Sequence, residues 1–163
     1  SQLFPELDTD GGKKLAASYS TFYVASDLGP APLYPGAMDT LHSLRDRGLE
    51  LAVATGKSRR GLNRVLAGLG LESFFHSTRC ADETQSKPHP QMLTEIMLER
   101  NKAPEEVVMV GDTEFDLAMA ANAGVVSVGV SYGVHAVERL HNHAPVAVID
   151  TLPELLALSV IQR

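Results

Sequence analysis

Residues Val107 to Asp116, VVMVGDTEFD, constrain the fold more than any other ten in the chain. A short Val-rich run that stops at Gly111 reads as a buried parallel strand, and Asp112, Thr113, Glu114 and Asp116 follow it at once. The carboxyl end of such a strand is where open α/β sheets bind ligands. Asp112 on the loop and Asp116 about one turn into the next helix suit a hard cation such as Mg2+. The same letters suit a helix cap: Asp112 or Thr113 would cap a helix from Glu114 to Ala123, with Glu114 and Asp116 near its positive end. On this stretch alone both readings stay open.

The rest of the chain repeats the pattern of strand, polar turn and helix. Leu49 to Ala54 reads as a buried strand delivering Thr55-Gly56-Lys57-Ser58, and Arg59 to Leu69 as a helix with Leu62, Val65, Leu66 and Leu69 on one face. Before it, Pro35 opens a helix to about Arg47 with Met38, Leu41 and Leu44 inward. After it come a weaker strand, Phe74 to Thr78, the polar loop Arg79 to Ser86, and a helix from Pro90 to about Arg100 with Leu93, Ile96 and Met97 inward. Strands Val125 to Val130 and Val146 to Ile149 flank the loop Ser131 to His135 and a short helical segment, and a last helix starts near Pro153. At the other end Lys13 to Ala25 reads as an amphipathic helix, joined to the rest by the Pro- and Gly-rich linker Asp27 to Pro35. Apolar strands alternating with helices predict an α/β fold whose parallel sheet is covered on both faces.

Charge and composition narrow the partners. At 163 residues the chain is long enough to bury a real core as one domain. A net charge of −6 leaves no basic stripe for nucleic acid. The single Cys80 excludes an internal disulfide framework and a multi-cysteine zinc site. No apolar run approaches the roughly 18 residues of a membrane span, and no signal peptide is visible, so the expectation is a cytoplasmic protein without membrane partners.

Three separate strand ends or nearby loops then present Thr55, Lys87 and the Asp112–Asp116 pair. A hydroxyl and backbone amides to hold oxygens, an ammonium to neutralise charge and carboxylates to hold a metal are what a phosphoryl group needs. Each has a plainer reading alone: a strand-to-helix turn capped by Thr55 or Ser58, and a loop lysine in Ser86-Lys87-Pro88-His89-Pro90. Among other residues, His135, His141 and His143 read as surface histidines, Cys80 as a thiol in a loop, and Arg59 and Arg60 as solvated helix residues.

The series Ala54-Thr55-Gly56-Lys57, Ser86-Lys87-Pro88 and Gly111-Asp112-Thr113 with Asp116 resembles the second, third and fourth motifs of the haloacid dehalogenase superfamily of phosphohydrolases. The resemblance runs from about Tyr34-Pro35-Gly36 to Leu156 and is closest to phosphoglycolate phosphatases. It implies a Rossmann-like core, Mg2+, a small phosphorylated metabolite as substrate and an aspartyl-phosphate intermediate. Thr55, Gly56 and Lys87 would bind the phosphoryl group, and Asp112 with Asp116 would hold the metal.

In that family an Asp-x-Asp on the first strand supplies the nucleophile. The candidate here is Asp8-Thr9-Asp10, but Pro5 and Glu6 before it suit a central strand poorly. Residues 1–26 instead resemble the closing helix and hinge of the family's helical cap, leaving 27–163 as the α/β core. The first motif is then missing. Without its strand, those bearing Thr55 and Asp112 expose two interior edges. Three devices would close the gap: direct pairing of the two strands, insertion of the N-terminal segment, or an element from another copy of the chain. An inactive module that binds phosphate and metal is the alternative to an active enzyme.

Overall fold

The computed structural model describes residues 33–162. The expected helix Lys13 to Ala25, the cap remnant 1–26 and the Asp8/Asp10 candidate lie outside the described residues. Among the described residues there are five parallel strands: β1 (Ala52–Thr55), β2 (Ser77–Cys80), β3 (Val108–Gly111), β4 (Val126–Val130) and β5 (Ala147–Ile149). The helices are α1 (Ala37–Asp46), α2 (Arg59–Leu69), α3 (Gln91–Arg100), α4 (Glu114–Asn122) and the short α5 (Val137–His141).

Alternation along β3 explains why both faces carry helices. Val107 and Met109 pack with Met92, Met97 and Met119 of α3 and α4. Val108 and Val110 point the other way, to Leu44 of α1, Val128, Val130 and Leu155. A strand apolar at every position is stable only when both of its faces are covered. A third cluster, Leu62, Leu66, Leu71, Phe74 and Cys80, seats α2 against β1 and β2.

Among the described residues the sheet is in two pieces, β1-β2 and β3-β4-β5, and β1 does not pair with β3. Direct pairing of the strands bearing Thr55 and Asp112 is therefore excluded as the way the gap closes. Between the pieces lies a cleft of about 1070 Å³, flanked by Val53 and Ala54 on one side and by Val108 and Met109 on the other.

Three elements depart from the sequence expectation, the first being β1, which starts at Ala52 rather than Leu49. The weaker strand lies three residues later, at Ser77–Cys80, because Phe74 is claimed by the core and turns on T-shaped contacts with His42 and Phe75. The helix expected near Pro153 is two 3₁₀ turns, Leu152–Ala157 and Ser159–Ile161. Its apolar residues Leu152, Leu155, Leu158 and Ile161 recur every third position and all pack on one cluster, the period of a 3₁₀ helix.

Candidate phosphate and metal site

Lys87 joins the three strand-end motifs. Its ammonium donates to Ala54 O at 2.9 Å, one residue before Thr55, and to Asp116 Oδ1 at 2.5 Å. The pair is well shielded, with 16% and 6% of the two side chains exposed. The lysine is held from behind, since Asn122 Nδ2 of α4 donates to Pro88 O at 2.9 Å.

At the end of β1, Thr55 Oγ1 accepts from the Lys57 amide at 3.1 Å, and Gly56 is exposed. The cap of α2 is Ser58, which accepts from Gly61 N, so Thr55 is not needed for that task. The start of α2 is anchored by Arg59, whose guanidinium takes both oxygens of Glu83 and donates to Thr78 Oγ1 and Thr78 O. Arg59 is thus only partly solvated: α2 carries it over β2, where the fork of Glu83 and the Thr78 carbonyl meet it. The Glu83 hydrogen bond raises the Arg59 pKa, and the same bond lowers that of Glu83. Arg60 beside it is exposed, as expected.

At the end of β3 the cap and the site divide the carboxylates between them. Thr113 caps α4 by accepting from Asp116 N, and Asp116 Oδ2 accepts from Thr113 N at 3.0 Å and Thr113 Oγ1 at 2.8 Å. With Lys87 on Oδ1, both oxygens of Asp116 are engaged. Asp112 takes no part in the cap. Val134 N donates to its Oδ2 at 3.0 Å, and no other described group bonds to its carboxylate. Two glycines make this possible. A Cβ on Gly111 would stand 2.3 Å from Asp116 Cβ, and one on Gly133 would stand 2.0 Å from Asp112 Cβ.

From sequence Tyr132 to His135 reads as a loop at the rim of the site with no role assigned, and His135 as a surface histidine. His135 is half-buried: its Nδ1 accepts from Glu114 N at 3.1 Å and its ring meets Phe115 edge-on. A loop after one strand bonding to the end of its neighbour leaves no local signal. Glu114 also pairs with Arg139, which lowers the Glu114 pKa. Cys80, expected in a loop, is the last residue of β2 and fully buried, and burial pushes its thiol pKa up.

The described residues form no cluster of three or more His, Cys, Asp or Glu side chains able to cage a metal. A Mg2+ ion does not need one, because it commonly uses one or two carboxylates together with water and substrate phosphate. Asp112, half-buried and with one oxygen that no described group bonds, is a hard donor that fits this habit.

This arrangement is a parallel-stranded α/β domain that brings a hydroxyl, a shielded ammonium and carboxylates to its strand ends. Residues 2–124 match the haloacid dehalogenase-like hydrolase family, and the chain belongs to it. It is 35% identical over 128 residues to the probable phosphatase IndB of Dickeya dadantii, covering 78% of this chain and 56% of that protein. It is 33% identical over 159 residues to the pyrophosphatase PpaX of Bacillus pumilus, covering 95% of this chain and 72% of the relative. A crystal structure of a predicted phosphoglycolate phosphatase from Haemophilus somnus superposes with a TM-score of 0.80 at 25% identity, covering 96% of this chain and 70% of that one. The chain thus spans little more than half to about seven tenths of the length of these proteins. No described helix is long and apolar enough to cross a membrane.

Proposed function

We propose that this chain forms the core of a Mg2+-dependent phosphohydrolase acting on a small phosphate monoester. The observation that carries the reading is the Lys87 bridge, which draws the ends of β1 and α4 to one ammonium. Thr55 and Gly56 receive the phosphoryl oxygens through hydroxyl and backbone amides, and Lys87 neutralises their charge. Asp112 holds the cation. Asp116 orients Lys87, and it joins Asp112 on the metal through the lone pair of Oδ1 that Lys87 leaves open. Bound Mg2+ supplies charge stabilisation for the transferring group. Relatives named as phosphatases and pyrophosphatases agree with a phosphoryl substrate.

In this reading an aspartate outside the described residues attacks phosphorus through a carboxylate oxygen. The ester P–O bond breaks, and the leaving oxygen takes a proton and departs as the alcohol. Water then attacks the aspartyl phosphate, releasing inorganic phosphate and restoring the carboxylate. Residues 27–163 make up the core and 1–26 the cap remnant, in a protein placed in the cytoplasm. Another copy of the chain is a further source of an element for the cleft, through homo-oligomerisation or strand exchange.

The rival reading is a module that binds phosphate and metal without turnover. It differs from the enzyme only in lacking the attacking aspartate, which the main reading places outside the described residues. Release of phosphate from an aryl phosphate and from 2-phosphoglycolate, with and without Mg2+, separates the two. Metal-dependent turnover lost in Lys87→Ala supports the enzyme, and its loss in Asp8→Asn names Asp8 as nucleophile. Absence of turnover with phosphate still bound leaves the module.

A further inference from the structure

The geometry points to the loop Ser131 to His135 as a positioning element that aims Asp112, an inference that rests on Asp112 being the cation ligand. The loop touches Asp112 in three ways. Val134 N donates to Oδ2 at 3.0 Å, and His135 N donates to the Asp112 main-chain oxygen at 3.2 Å. Gly133 lies so close that any side chain there would overlap Asp112 Cβ, at 2.0 Å. A carboxylate on a loop has two side-chain torsions to lose before it can serve a metal. The Val134 amide removes that freedom by holding one oxygen, which leaves Oδ1 as the oxygen presented to the cation.

The loop is itself braced at both ends. His135 Nδ1 accepts from Glu114 N, tying its far end to the first turn of α4. At the near end Tyr34 donates from its hydroxyl to Tyr132 O at 3.4 Å, and the two rings lie 4.6 Å apart. A loop merely filling space would need neither the close approach at Gly133 nor an amide aimed at a carboxylate. Gly133 and Val134 are thus positioning residues, acting through Asp112.

The test uses the full chain in two measurements. In metal-free protein, Asp112→Ala removes the acceptor for the Val134 amide, and hydrogen exchange at that amide should quicken about tenfold. Exchange that does not change overturns the proposal. Calorimetric titration with Mg2+ then compares wild type with Gly133→Ala and Val134→Pro, the first displacing Asp112 and the second deleting the donor. Loss of a hydrogen-bonding partner behind a metal ligand costs about 10–100-fold in affinity, which is the expected result for both. Folded variants that bind Mg2+ as wild type does also overturn it. Should wild type bind no Mg2+ while the Val134 amide responds to Asp112→Ala, the cation assignment fails and the hold on Asp112 stands.

Discussion

At the end of β3 the backbone is crowded: a Cβ on Gly111 would stand 2.3 Å from Asp116 Cβ, and the carboxylates beyond it are held by a cap, a lysine and a loop amide. At the end of β1 a Cβ on Gly56 would meet no described atom within 4 Å, and the turn is bonded by Lys57 N to Thr55 Oγ1, by Lys87 Nζ to Ala54 O and by Ala81 N to Lys57 O. Both ends are held by bonds from residues distant in sequence, but only at the β3 end is the backbone so tightly packed that its glycine has no room for a side chain. Substitutions at the two ends should differ accordingly.

The largest difference is expected between the two aspartates. Asp116→Ala strands the ammonium of Lys87, and breaking a buried pair costs about 3–5 kcal/mol, with the low end expected because Lys87 keeps some exposure and its bond to Ala54 O. Asp112→Ala gives up only the bond from the exposed Val134 amide, about 1 kcal/mol. Urea unfolding of both variants checks this; equal losses would erase the distinction between the two carboxylates.

The glycines come next. Gly111→Ala forces Asp116 to move and should cost about 1–3 kcal/mol by overpacking. Gly56→Ala has room, and stability should stay within about 0.5 kcal/mol. Its effect belongs to ligand binding, read as weaker binding of inorganic phosphate. A stable Gly111→Ala protein would break the comparison.

Acid provides a smaller contrast. Arg59 lowers the Glu83 pKa beside the β1 end, and Arg139 lowers that of Glu114 beside the β3 end. A carboxylate whose folded pKa is depressed contributes stability that is fully present above its unfolded value, about 4.3, and lost as pH falls through the folded value. Thermal midpoints should therefore fall below about pH 4. Both pairs are partly exposed, so Arg59→Met and Arg139→Gln should each flatten the profile modestly. The slightest response is expected from Cys80, whose buried thiol should stay unlabelled by maleimide until the chain unfolds.

Much of this was legible where the signal is local. The span Arg59–Leu69 emerges from an apolar face and a terminal glycine, and the helix shows those bounds. Thr55, Lys87, Asp112 and Asp116 stand out through residue type and position at strand ends. The role of Arg59 was not legible, because its partners Thr78 and Glu83 lie 19 and 24 residues away. Neither was the role of His135, whose partner Glu114 is 21 residues back.

What the sequence determined by itself is the order of apolar strands and polar turns, and with it a parallel α/β sheet, since burial demands an apolar residue at each position of a strand covered on both sides. Tertiary structure alone decided how each aspartate is held. Asp112 and Asp116 are the same residue four positions apart, and only the approach of Lys87 and the loop 131–135 ties one to an ammonium and the other, among the described residues, to a single backbone amide.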